Sequence, residues 1–238
     1  MIKELAWDSA LFKKKIGELI PASQELFCIK DVLRKAGDDH YAYITCRTKA
    51  RHTRFIRLLE ASGFYLTDIG VILAIKTDAL FQEPRRTNPA MRGAVRIAAR
   101  QDISALKKIS TSLFIESRFY SDPFFSKAMA DRLYRAWIEN SVKGQAADIV
   151  FYVPGTGFIT CRKSRGKKGE IVLMGVKKNL RGKGYGAALL GEALQWFVGQ
   201  KVKTVTVRTQ LNNIGALNFY IKAGFLPKEY DVVFGKIL

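Results

Sequence analysis

Histidine and cysteine are scarce in this chain, and their scarcity removes whole classes of chemistry. The two histidines, His40 and His52, give a Ser-His-Asp or Cys-His hydrolase little to build on, and both read as surface or structural residues. The three cysteines, Cys28, Cys46 and Cys161, are odd in number, widely spaced and without a Cys-x-x-Cys pair. Neither a disulfide framework nor a zinc site is supported, and no metal is expected. Long apolar runs are missing too: none approaches the roughly 18 residues of a membrane helix. The opening Met1-Ile-Lys-Glu-Leu-Ala-Trp-Asp carries charges where a signal peptide needs an apolar stretch. The chain is therefore expected to be soluble and cytoplasmic, with no membrane partner.

Acidic residues are the other shortage. Asp and Glu number 21 against 40 Lys and Arg, a net charge of +19 that implies anionic partners. Nucleic acid, anionic lipid and phosphorylated small molecules all qualify by sign. No helix-turn-helix, zinc finger or RNA-binding aromatic motif appears, which argues against nucleic acid. Lysines and arginines instead crowd between Arg162 and Lys183, around a glycine-rich segment, and that clustering favours a polyphosphate ligand there. With 238 residues and 48% hydrophobic residues, there is ample material for one large core or two modest ones.

The glycine-rich segment runs from Val176 through Arg181-Gly182-Lys183-Gly184-Tyr185-Gly186 into an apolar helical pattern. Backbone N–H groups at a helix start have no intrahelical partner and sit at the positive end of the helix dipole, so they bind phosphate oxygens. Three templates compete. Gly182-x-Gly184-x-x-Ala187 fits the dinucleotide fingerprint, but the acidic residue expected about 20 positions on is absent from Gln200-Lys-Val-Lys203. The Gly-Lys-Ser/Thr of a P-loop is also missing. The third template, Arg/Gln-x-x-Gly-x-Gly/Ala, is met by Arg181, Gly184 and Gly186, with a plain glycine turn before a surface helix as the bland alternative.

Periodicity divides the chain. Residues 1–76 read as a small α/β unit: a strand over 15–20, a helix with Leu26, Ile29, Val32, Leu33 and Ala36 on one face stopped by Gly37, a strand over 41–46, a helix over 53–62 and a strand over 65–75. Residues 77–93, with Pro84, Pro89 and Gly93, read as a linker. Residues 94–238 read as β-α-α-β-β-β-α-β-α-β, with three hairpin strands before the glycine loop. Antiparallel hairpins there contradict a doubly wound dinucleotide fold, so the class is α/β (α+β) with a mixed central sheet. One internal echo is visible: Phe55 to Phe64 weakly repeats the helix and Gly-Phe ending of Leu217 to Phe225, with Leu59 standing where the second copy has Tyr220.

A second motif, Asn213-x-x-Ala216-x-x-x-Tyr220-x-x-x-Gly224-Phe225, follows the glycine loop. With both motifs in place, the second half resembles a complete domain of the GNAT superfamily of acyl-CoA N-acyltransferases. Over its whole length the chain resembles the bacterial dTDP-4-amino-4,6-dideoxygalactose (TDP-fucosamine) N-acetyltransferases, in Leu5-Ala-Trp7-Asp8-Ser9-Ala-Leu-Phe12, Ser117-Arg118-Phe119, Trp137-Ile-Glu-Asn140 and Thr209-Gln210. The resemblance implies an acetyl-CoA-dependent N-acetyltransferase acting on a nucleotide-linked 4-amino-4,6-dideoxy sugar by direct transfer in a ternary complex. It implies that Met174, Gly175 and Val176 meet the pantetheine arm, that Arg181, Gly182, Lys183, Gly184, Tyr185 and Gly186 hold the CoA pyrophosphate, and that Asn213 contacts CoA or starts the helix.

By the same resemblance Tyr220 is the general acid, a phenol protonated at neutral pH. Arg118 and Asp122 lie where the acceptor enters, Arg118 as a phosphate contact; the general base is not identified, Glu170 being one candidate and relay through ordered water another. The expected partners are CoA and an anionic nucleotide sugar, with a second copy of the chain as a further candidate. Residues 1–76 would be a partial, non-catalytic relative of the second half that shapes the acceptor site. A different acceptor amine, or a nucleic-acid-binding protein on the same scaffold, are the competing expectations.

Overall fold

The computed structural model describes residues 1–20, 29–78, 93–111 and 113–238. Cys28 and nearly all of the expected linker lie outside the described residues. The strands are β1 (Ile2–Glu4), β2 (Ile16–Leu19), β3 (Tyr43–Lys49), β4 (Tyr65–Lys76), β5 (Arg96–Ile97), β6 (Ile149–Val153), β7 (Gly157–Ser164), β8 (Lys168–Val176), β9 (Thr204–Gln210) and β10 (Leu226–Ile237). They form one mixed sheet in the order β1-β2-β3-β10-β4-β9-β8-β7-β6-β5.

The expected division at 77–93 does not divide this sheet. β4, from the first unit, lies between β9 and β10 of the second, and β10 lies between β3 and β4. Each unit's last strand thus pairs with the other unit's preceding strand. β4 is rich in Ile and Leu and β10 carries Val232, Val233 and Phe234 in succession, and a strand buried between two neighbours satisfies its backbone on both edges.

The interlocking has a two-fold pattern that extends the faint sequence echo. Gly70 pairs with both Asp231 and Gln210, while Asp231 pairs with both Gly70 and Lys49. The helices α3 (Thr53–Ala61) and α8 (Ile214–Lys222) correspond one for one, as do β3 and β9. Phe64 N donates to the Leu59 carbonyl at 3.0 Å, and Phe225 N to the Tyr220 carbonyl at 3.0 Å. Even the left-handed residues match, His40 at φ 60° and Lys201 at φ 57°. His40 also corrects an expectation: α2 (Ile29–Asp38) runs through Gly37 and ends only where His40 turns left-handed.

Alternation along the strands sends side chains to two layers. Ile44 and Cys46 of β3 pack with Ile29, Ala36, Leu59 and Phe64, beneath α2 and α3. On the same face α7 (Tyr185–Gly199) and α8 bury Leu189, Leu190, Phe197 and Tyr220 against Leu73, Ile159 and Val205. Tyr43 faces the other way, into a cluster with Leu106, Ile109, Leu133, Tyr134 and Phe158 from α4 (Ile103–Ser110), α6 (Lys127–Val142) and β7. α1 (Ala6–Phe12) and the short α5 (Arg118–Ser121) complete that layer, Phe12 and Phe119 packing into it.

Candidate active site

The site begins at a break in the sheet. β7 and β8 lose register between Thr160 and Cys161, leaving Val172 as an extra residue, and Thr160 Oγ1 accepts from Leu173 N at 2.9 Å. A bulge of this kind bends a strand and increases its twist. Just past the same point the parallel pairing of β8 with β9 ends, its last pair being Ile171 with Val207, although β9 continues to Gln210. The two strands splay, and Met174, Gly175 and Val176 line the opening.

The glycine loop closes one end of it. Gly182 has φ 77° and Gly184 φ 91°, conformations that a Cβ disfavours, and a Cβ on Gly182 would project into open space. Gly184 is the N-cap of α7 and provides no side-chain hydrogen bond, and no acid lies in the first turn. The contrast with α8 is direct: there Asn213 Oδ1 caps the helix by accepting from Ala216 N at 3.1 Å. The first N–H groups of α7 therefore await an anion. Arg181 is steadied by its Nε donating to the Val176 carbonyl at 3.1 Å. A glycine cradle before an uncapped helix, flanked by a cation and opening into a strand splay, suits a diphosphate with a long thiol arm.

Tyr220 comes from α8 and crosses to the splay. It is 4% exposed, and its Oη donates to Met174 Sδ at 3.4 Å. A thioether is a weak acceptor, so this proton is held without being committed. Burial pushes the phenol's pKa well above its ordinary value, and the nearby Cys161 adds to the shift. Tyr220 is thus a proton donor throughout the neutral range.

A single cleft of about 1180 Å³ joins these parts to the acceptor side, lined also by Trp7, Asp8, Arg47, Asp68, Arg118, Trp137, Arg162, Glu170 and Arg208. That exceeds the roughly 300–1,000 Å³ of a one-ligand pocket. Arg118 lies over the Phe119 ring at 4.5 Å, and its Nη1 is buried without a hydrogen-bond partner among the described residues.

Of the residues expected at the site, Met174, Gly175, Val176, Arg181, Gly182, Gly184, Gly186, Asn213, Tyr220 and Arg118 line the cleft, while Lys183 and Tyr185 do not. Asn213 is already used as a cap. Asp122 is displaced from its expected part: it is 3% exposed, outside the lining, and accepts from Tyr43 Oη, from Tyr65 Oη at 2.9 Å and from Phe124 N at 3.0 Å. Its carboxylate is taken up fastening the Arg118 segment to β3 and β4. Burial first, and then this shared hydrogen bonding, raise both tyrosine pKa values. Glu170, the candidate base, is paired with Arg162 at 2.9 Å.

Arg47, Arg208 and Asp68 were not anticipated in the sequence. They belong to strands that only the interlocked sheet brings to the site, and charged residues at alternate strand positions give no signal of that. Among the described residues no group of three or more His, Cys, Asp or Glu is placed to hold a metal ion, and no helix is long and apolar enough to cross a membrane.

The comparisons with known proteins agree with this geometry. The Acetyltransferase (GNAT) family matches residues 115–225. The chain is 28% identical over 228 residues to a dTDP-fucosamine acetyltransferase of Escherichia coli O6:H1 (strain CFT073), covering 94% of this chain and 92% of the relative. It is 31% identical over 122 residues to streptothricin acetyltransferase A of Bacillus subtilis (strain 168), covering 50% of this chain and 68% of the relative. Among solved structures, a tandem GNAT protein from the clavulanic acid biosynthesis pathway shares the fold with a TM-score of 0.57 at 13% identity, over 93% of this chain and 75% of its own. The loop, the strand splay and the tyrosine that closes it have one common owner, and the chain belongs to the GNAT family of acetyltransferases, which take their acyl group from acetyl-CoA.

Proposed function

We propose that the protein transfers an acetyl group from acetyl-CoA to the 4-amino group of a nucleotide-linked 4-amino-4,6-dideoxy sugar, with both substrates held at once. The observation that carries this reading is the single long cleft with a glycine loop at one side, Tyr220 within it and, on the acceptor side, Arg118 with its Nη1 buried and without a hydrogen-bond partner among the described residues. The name of the Escherichia coli relative, matched nearly end to end, supports the same acceptor class. The net charge of +19 disfavours a cationic acceptor, which the protein's field would repel. The reading places the reaction in the cytoplasm and leaves nucleic acid out of it.

The work of the chain is positioning, polarisation and proton delivery. The glycine loop and Arg181 anchor the diphosphate of the donor, which supplies the activated acyl group. Main-chain groups of β8 beyond Ile171 bind and polarise the acyl carbonyl. As the amine nitrogen bonds to the acyl carbon and the carbon–sulfur bond breaks, Tyr220 gives its Oη proton to the departing sulfur, a much better acceptor than the Met174 thioether it now faces. The proton released by the amine passes to solvent, from which the phenol is restored. Holding amine and acyl carbon in contact removes the cost of a chance encounter, which in oriented systems is on the order of 7–11 kcal/mol. Arg118 binds a phosphate of the acceptor.

The test is a screen of purified enzyme with acetyl-CoA against amino-sugar nucleotides and against peptides, followed by thiol release. Turnover on a 4-amino-4,6-dideoxy sugar nucleotide is the expected result. Silence on every sugar nucleotide, with turnover on peptides, would sink the assignment.

A further inference from the structure

Five arginines line the cleft, and three of them have partners. Arg208 donates from Nε to Asp231 at 2.9 Å and from Nη1 to Asp68 at 2.9 Å. Arg162 is paired with Glu170, and Arg181 with the Val176 carbonyl. Arg118 and Arg47 are left. Arg118 stacks on aromatic rings with Nη1 unsatisfied, and Arg47 makes no hydrogen bond or ion pair among the described residues. Asp8 lines the same wall within the field of Arg118, but it makes no ion pair among the described residues.

The two-fold pattern explains why Arg47 is free. Arg47 on β3 is the counterpart of Arg208 on β9. Arg208 has two carboxylates, and each is changed in the other copy. Where Asp231 holds Arg208, the counterpart is Gly70, and the Arg208 guanidinium lies over the space a Gly70 side chain would fill. Where Asp68 holds it, the counterpart is Glu229, which is paired with Lys49 at 2.6 Å. Arg47 therefore holds the corresponding position without a counterpart of either ion pair. Arg47 is exposed to the cleft, where loss of solvent and then the Arg208 cation pull its pKa below the ordinary value, Arg118 adding to this and the Asp231 and Glu18 carboxylates opposing it. A cation without a direct partner beside two other cations is in an unfavourable interaction that an anionic ligand relieves.

Arg118 is brought to the same place. Tyr43, two pleats before Arg47 on the same face of β3, donates to Asp122 and so fastens the Arg118 segment. β3 stands four strand positions from β8, roughly 19 Å at the usual strand spacing, so this pair is separate from the CoA loop.

We propose that Arg47 and Arg118 form a second anion clamp for the diphosphate of the acceptor, so that the N-terminal unit itself holds the nucleotide sugar. This rests on the nucleotide-sugar reading given above. Two guanidiniums from different units match a diphosphate with paired, charge-assisted hydrogen bonds.

The test is calorimetric titration of inorganic pyrophosphate, and of a nucleoside diphosphate, into protein already saturated with CoA. Wild type is expected to bind both, R47Q about 10- to 100-fold more weakly, and R47K in between, with the KM for acetyl-CoA unchanged. Were R47Q to fail to fold, R47K keeps the charge without the planar fork and is expected to bind several-fold more weakly. Absence of binding to CoA-saturated wild type, or variants that bind as wild type does, would overturn the clamp. Binding that depends on Arg47 in an enzyme that acetylates no sugar nucleotide would uphold the clamp and overturn the acceptor assignment alone.

Discussion

Tyr220 keeps its proton because its surroundings give a phenolate no water. Its pKa is raised from the ordinary 10.0, so the donor form is complete below pH 10 and is lost only as pH climbs through the higher, folded value. No decline in kcat from this group is expected up to pH 10. A decline centred near pH 9 that vanishes in Tyr220→Phe would contradict that. The substitution itself should lower kcat by about 10²-fold or more, the usual contribution of a positioned acid, and leave the KM for acetyl-CoA nearly unchanged. In the proposed mechanism Gly182 acts at the opposite end of the donor. Gly182→Ala meets no protein atom, so only the φ of 77° opposes it, at a cost of about 1–2 kcal/mol. Its methyl group intrudes on the anion cradle, and a raised KM for acetyl-CoA with a modest loss of Tm is expected by steady-state kinetics and thermal unfolding.

At the scale of elements, the short helix α5 owes its place to one carboxylate. Asp122→Ala leaves the Tyr43 and Tyr65 phenols without their acceptor, which should cost about 1–3 kcal/mol and free the Arg118 segment. Kinetics should show a raised KM for the acceptor and an unchanged KM for acetyl-CoA; equal changes in both would show that Asp122 supports the fold in general and not this segment. Asp122 also marks the border of what the sequence displays. The long periodic elements were readable: α7 and α8 from their apolar faces, β6 to β8 from their hairpin turns, and Tyr220 from its place in a motif. α1, β1 and α5 were not, because 7, 3 and 4 residues are too short to carry a period. Gly37 misled because glycine's helix cost of about 1 kcal/mol is small beside the packing of Ile29 and Ala36. An aspartate next to an arginine looks like half of a binding pair, and only the fold shows Asp122 turned toward two tyrosines from far upstream.

On the scale of the whole molecule, the sheet belongs to neither unit alone. Residues 94–238 expressed without 1–93 would leave the edge of β9 facing no strand and strip β10 of both neighbours, so the fragment is expected to be insoluble or unfolded by circular dichroism. A soluble fragment that still bound CoA would refute this dependence. The strand exchange also bears on how the enzyme turns over. Two-lobed enzymes commonly swallow and release their ligands by swinging one lobe on a hinge. Here β4 and β10 act as crossed bolts: any such swing would have to tear backbone ladders that run nearly the length of two twelve-residue strands. The sheet floor of the cleft is therefore expected to keep its shape throughout the cycle, so that the strands which hold donor and acceptor are set relative to each other when the chain folds, before either substrate arrives.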